Sequence, residues 1–185
     1  MANLNGKHIA VLAMDGFEES ELTEPVKALR SGGADVQIFS KKLGKIQAFR
    51  HHDKSMTLDV DGTFDQLDAA KFDGVLLPGG ALNADAIRVE DGAVQFVRKM
   101  NDHRKPMAVI CHAPWLLASS GIARGRKLTS YHTIQDDLRN AGATWADQEV
   151  VVDDNLVTSR KPDDIPAFNG EFIRLLESAV LAGAT

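Results

Sequence analysis

Apolar positions along this chain fall into short runs separated by amphipathic stretches, and the two kinds of segment alternate. HIAVLAM (8–14) is a continuous β-prone run, the pattern of a strand buried on both faces. The following stretch, FEESELTEPVKALRSGG, sets Leu22, Val26 and Leu29 at helical spacing and closes on Gly32 and Gly33. Pro25 within it predicts a kink or a late helix start. DVQIFS (35–40) completes a β–α–β opening, which argues for a parallel sheet. FDGVLLPGG (72–80) and MAVI (107–110) read as further buried strands, and residues 92–105 between them carry Val94, Val97 and Met100 at helical spacing. APWLLASSG (113–121) predicts a short helix with Pro114 in its first turn and Gly121 at its end. KLTSYHTIQDDLRNAG adds a short strand and a helix, and EVVVDDNLVTSR (149–160) a hairpin turning at Asp154 and Asn155. A last helix covers residues 163–182. Residues 44–60, GKIQAFRHHDKSMTLDV, break the alternation and predict short strands around a polar turn, a hairpin excursion from the main fold.

The pattern predicts a doubly wound α/β fold, with helices on both faces of a mostly parallel sheet, in one domain spanning residues 1–185. Ligands in such sheets bind beyond the carboxyl ends of the strands. Three chemically rich loops fall there: MDGFEESE (14–21), PGGALNAD (78–85) and CHAP (111–114).

Composition narrows the function classes. A formal net charge of −5 argues against nucleic-acid binding through global charge, since phosphate contacts need clustered Lys and Arg. No apolar run approaches the roughly 18–20 residues of a membrane span. The opening MANLNGKH lacks the apolar core of a secretory signal. The one cysteine, Cys111, cannot form an internal disulfide. Together these features lead us to expect a cytoplasmic protein with no membrane partner.

Cys111 follows a strand and precedes a helix, the placement of a nucleophile elbow. A helix N-terminus there is expected to lower the thiol pKa; the plainer alternative is a small buried apolar side chain. His112 can supply an imidazole or a backbone N–H to an oxyanion hole, or simply satisfy nearby backbone groups. Glu18 and Glu19 lie in the loop after the first strand, where a carboxylate could touch the sulfur, although acids there also favour a helix N-terminus. Gly79 and Gly80 allow close backbone approach, with the Gly80 N–H a candidate second oxyanion donor. Tyr131 and His132 follow a short strand and can face the same cleft. No dinucleotide or phosphate fingerprint follows any strand, so no cofactor is expected. No metal is expected either, because nothing near His51 and His52 completes a ligand set.

Taken together, GFEESEL (16–22), LLPGG (76–80), KPMAVICHAPWLL (105–117), GRKLTSYHTIQDDLRNAGA (125–143) and EVVVDDNLVTSR (149–160) resemble the DJ-1/PfpI superfamily, and within it the PfpI-type intracellular protease-like proteins. The resemblance covers nearly the whole chain. It implies a flavodoxin-like three-layer sandwich with Cys111 as nucleophile, His112 beside it, Glu18 as the acid on the thiol, and Gly80 with the His112 backbone as oxyanion donors. It also implies an acid from an adjacent subunit completing His112, for which Asp85 is the match, one residue further from the glycines and a methylene shorter than the usual Glu. A homo-oligomer, a dimer or larger, follows from that arrangement. The implied chemistry is attack on a carbonyl: hydration of a dicarbonyl, removal of a glycation adduct, or peptide hydrolysis. The alternatives are a redox sensor acting through Cys111 oxidation, a true peptidase working in an oligomer, and a non-catalytic scaffold. A peptidase needs an extended cleft, whereas a small carbonyl needs only a pocket.

Overall fold

The computed structural model describes residues 2–182, with side chains through residue 179. Its elements run in chain order as β1 (His8–Leu12), β2 (Phe17–Glu18), α1 (Glu19–Ser31), β3 (Asp35–Ser40), β4 (Gly44–Arg50), β5 (Asp53–Val60), β6 (Gly62–Thr63), β7 (Gly74–Leu77), α2 (Ala81–Ile87), α3 (Asp91–Asp102), β8 (Met107–Ile110), α4 (Pro114–Ser120), β9 (Lys127–Leu128), α5 (Gln135–Asn140), β10 (Thr144–Trp145), β11 (Val150–Asp153), β12 (Leu156–Ser159) and α6 (Ile165–Ala182).

Seven strands form the central sheet in the order β11-β12-β8-β7-β1-β3-β6. Every pairing is parallel except β11 with β12, whose hairpin turns at Asp154 in the left-handed region (φ 54°). The central strands β7 and β8 are wholly buried, as their unbroken apolar runs require. One face packs Leu22, Val26 and Leu29 of α1 and Phe168, Phe172 and Leu176 of α6 against Ile9, Val11 and Leu76. The other packs Phe96, Val97 and Met100 of α3, Leu116 and Leu117 of α4 and Leu138 of α5 against Ala10, Val75 and Val109. The result is the expected three-layer α/β sandwich.

Residues 44–60 form the expected hairpin, β4 antiparallel to β5, turning at His51 and His52. It pairs with β2 in a small second sheet, which anchors the loop after β1. Two details differ from the sequence reading. Helix α1 starts early, at Glu19, and runs without interruption through Pro25. Pro25 is buried beside Leu22, Val26 and Leu29, and that packing offsets the hydrogen bond its ring nitrogen cannot make. Residues after the PGG turn also form a helix, α2, which no apolar periodicity had marked.

Candidate active site

Strand β8 ends at Ile110 and hands the chain to Cys111, whose φ of 64° is unusual for a residue with a side chain. Three backbone hydrogen bonds hold this strained turn: Cys111 N–H donates to Ser159 O (3.0 Å), Tyr131 N–H to Cys111 O (2.8 Å) and Ala113 N–H to Ile110 O (3.1 Å). The neighbouring strand and the loop before α5 thus clamp the elbow from both sides. Cys111 as a residue is only 7 % exposed.

The acid beside the thiol is Glu21, which corrects the assignment of that role to Glu18. Because α1 begins at Glu19, Glu21 falls on its inner face, on the same stripe as Pro25 and Leu29, and is fully buried. Glu18 lies in extended β2 just before the helix, and its Oε2 accepts the backbone N–H of His51 (2.9 Å). Glu19 is engaged by Arg50 at 2.9 and 3.1 Å. The i, i+4 relation of Glu21 to Pro25 and Leu29 was the available signal in the sequence.

Glu21 Oε2 accepts the Gly79 N–H at 2.9 Å, and the carboxyl is coupled to the Cys111 thiol. Burial is the largest influence on it and raises its pKa to about 8, so it is protonated at neutral pH. The thiol is pushed up as well, first by burial and then by Glu21, while the N–H groups of Gly80 and His112 favour the thiolate. The expected lowering by the start of α4 is therefore overcome: a seven-residue helix offers less than enclosure removes.

His112 Nδ1 lies 3.2 Å from Cys111 Sγ. Its ring stacks on Tyr131 (4.7 Å between centroids, 25° between planes) and meets Trp115 edge-on at 5.5 Å. Burial, and secondarily the charge of His132, lower its pKa and keep the imidazole neutral, with one nitrogen able to take a proton. His132 lies tilted against Tyr131 at 4.6 Å, so the aromatic wall is His112, Tyr131 and His132.

The PGG turn closes the other side. A Cβ on Gly79 would fall onto Glu21 Oε2 and within 2.5 Å of Cys111 Cβ, so only glycine lets the acid and the nucleophile meet there. Gly79's own N–H is taken by Glu21, which makes it a spacer rather than a free donor. Gly80, at φ 87°, presents its N–H toward the sulfur. Asp85 lies exposed on α2; within the chain, the His112 ring is hydrogen-bonded with Cys111. Among the described residues no group of three His, Cys, Asp or Glu side chains is placed to hold a metal ion, and no helix is long and apolar enough to cross a membrane. A cavity of about 500 Å³ between α1 and the hairpin contains none of these residues.

The chain as a whole is similar to several known proteins. Protein/nucleic acid deglycase 2 of Escherichia coli is 47 % identical over 92 % of this chain and 98 % of its own length. Deglycase PfpI of Pyrococcus furiosus is 43 % identical over 91 % and 99 %, and General stress protein 18 of Bacillus subtilis 44 % over 93 % and 99 %. Among solved structures, a two-domain Anabaena variabilis protein with DJ-1/ThiJ/PfpI-like and ferritin-like domains superposes with a TM-score of 0.88 at 31 % identity, over 92 % of this chain and 48 % of that one. Drosophila melanogaster DJ-1beta gives 0.81 at 28 % identity, over 95 % and 97 %. The sequence model of the DJ-1/PfpI family matches residues 7–175, from the strand before the acid loop to the helix behind the elbow, and the chain belongs to that enzyme family.

Proposed function

We propose that this protein is a cysteine-dependent deglycase and dicarbonyl hydratase, with Cys111 as nucleophile. The observation that carries this reading is the convergence on one sulfur of a protonated acid, a neutral imidazole and two backbone N–H groups. Sγ adds to the carbonyl carbon of an α-dicarbonyl, and the thiol proton passes to His112 Nδ1. The Gly80 and His112 N–H groups hold the alkoxide that forms. With methylglyoxal, the proton on the attacked carbon moves to the neighbouring carbonyl carbon through an enediol, leaving a thioester that water hydrolyses to a hydroxy acid. With an early glycation adduct, Sγ displaces the amine or thiol from the carbinol carbon, the leaving group taking the thiol proton by way of His112, and the resulting hemithioacetal follows the same path. The names of the relatives support this choice of substrate class. A nucleophilic residue only 7 % exposed suits a compact carbonyl better than a peptide chain. Protection against carbonyl stress is the corresponding role.

The reading includes a homo-oligomer in which Asp85 of one copy meets His112 of another. Asp85 is exposed on α2 between Leu82 (63 % exposed) and Val89 (75 %), a surface suited to burial against a second copy. With Nδ1 turned to the thiol, Nε2 is the nitrogen such an acid would reach.

The test compares wild type, Cys111→Ala and His112→Ala on methylglyoxal, a methylglyoxal-modified thiol and a fluorogenic peptide. Turnover of the first two substrates that vanishes with Cys111→Ala and falls about 100-fold with His112→Ala is expected. Turnover of the peptide alone, or activity that survives in Cys111→Ala, overturns the reading.

A further inference from the structure

Asn83 is an amide only 1 % exposed, in the first turn of α2, and every polar atom of its side chain is engaged. Oδ1 accepts the Met14 N–H at 2.7 Å, and Nδ2 donates to Pro78 O and Gly79 O, both at 3.0 Å. These partners fix the amide's orientation, because a backbone N–H requires the oxygen and two carbonyls require the nitrogen. One side chain therefore ties the end of β1 to the PGG turn.

The Gly79–Gly80 peptide is planar, and its C=O and N–H point in opposite directions. Whatever holds Gly79 O consequently aims the Gly80 N–H. That oxygen has two donors: Asn83 Nδ2 at 3.0 Å and, more weakly, the Glu18 backbone N–H at 3.3 Å. Glycine at both positions leaves this peptide otherwise easy to rotate. On its other side lies the nucleophile, since Gly79 packs directly against Cys111 Cβ.

We propose that Asn83 is a positioning residue: by fixing Gly79 O it holds the peptide plane so that the Gly80 N–H faces the Cys111 sulfur and the oxyanion that forms beside it. The catalytic part of this inference rests on the carbonyl chemistry proposed above; the aim of the N–H at the sulfur does not. Asn83→Ala removes the stronger clamp. Asn83→Asp keeps the acceptor for Met14 but turns a second carboxylate oxygen toward two carbonyls, which repels Gly79 O and rotates the peptide.

The experiment measures two quantities on the intact protein: the thiol pKa from the pH dependence of iodoacetamide alkylation, and kcat and KM on methylglyoxal. Leu138→Ala, a core truncation in α5, controls for lost stability. Both Asn83 variants should raise the thiol pKa by about one, a tenfold lower thiolate fraction at a given pH. They should lower kcat about 10- to 100-fold with KM within about twofold, part of the loss that follows deletion of an oxyanion donor. Leu138→Ala should do neither. A thiol pKa in Asn83→Ala equal to that of wild type overturns the proposal, whatever happens to turnover. If wild type turns over no carbonyl, the functional reading fails while the alkylation measurement still decides the role of Asn83.

Discussion

Replacing Glu21 by glutamine should abolish a specific pH dependence of stability. The carboxyl is fully buried, and its pKa rises from an ordinary 4.5 to about 8. The folded protein therefore binds more protons than the unfolded chain between those values, and stability falls as pH rises through the window. At about 1.4 kcal/mol per pH unit, the loss once Glu21 is ionised reaches about 5 kcal/mol, a ceiling because local opening lets water reach the carboxylate. Glutamine keeps the oxygen that accepts the Gly79 N–H, so the turn survives while the titration disappears. His112 acts in the opposite sense: its depressed pKa makes stability rise as pH passes its unfolded value of about 6.5. That contribution is common to both proteins and cancels in their difference. Urea unfolding followed by tryptophan fluorescence, from about pH 6 to about pH 9, gives the two curves. A Cys111→Ala background keeps the thiol from titrating. It also removes a hydrogen bond that favours the Glu21 carboxylate, so the window persists there. The difference in unfolding free energy, Glu21→Gln minus Glu21, should grow from about pH 6 to about pH 8 and level off above it. Parallel curves would refute the assignment of Glu21 as a buried, protonated acid.

Gly79→Ala should drive a methyl group into Glu21 and Cys111; a loss of about 1–3 kcal/mol in urea unfolding, with slowed alkylation of Cys111, is expected. Glu18→Gln should leave the pH dependence of iodoacetamide alkylation close to wild type while Glu21→Gln moves it, because Glu18 engages His51 and not the sulfur. Phe172→Ala empties a fully buried site between α6 and the sheet and should cost about 3–5 kcal/mol by urea unfolding. Asp85→Ala should lower turnover with the Cys111 alkylation rate unchanged; an active monomer by light scattering would remove Asp85 from the reaction.

The alternation of apolar runs and amphipathic stretches by itself specified the α/β architecture. The fully apolar β7 and β8 can be satisfied only at the centre of a sheet covered on both faces, and the 22/26/29 stripe can be buried only against that sheet. It also placed Cys111 at a strand-to-helix corner, since local order along the chain sets where an elbow falls. Which of three neighbouring acids reaches the sulfur was decided in three dimensions. A one-residue change in where α1 begins turns every side chain by about 100°, and Glu19 as the first helical residue carries Glu21 inward and leaves Glu18 outside. The protonation states were likewise settled by packing: position after a strand suggests an easily ionised thiol, but enclosure beside a buried carboxyl reverses the balance. Asn83 lies in a segment without apolar periodicity, and its partners at Met14 and Gly79 belong to two different loops. Only the parallel pairing of β1 with β7 in the sheet brings those loops together, so the residue that holds the turn could not be read from local pattern.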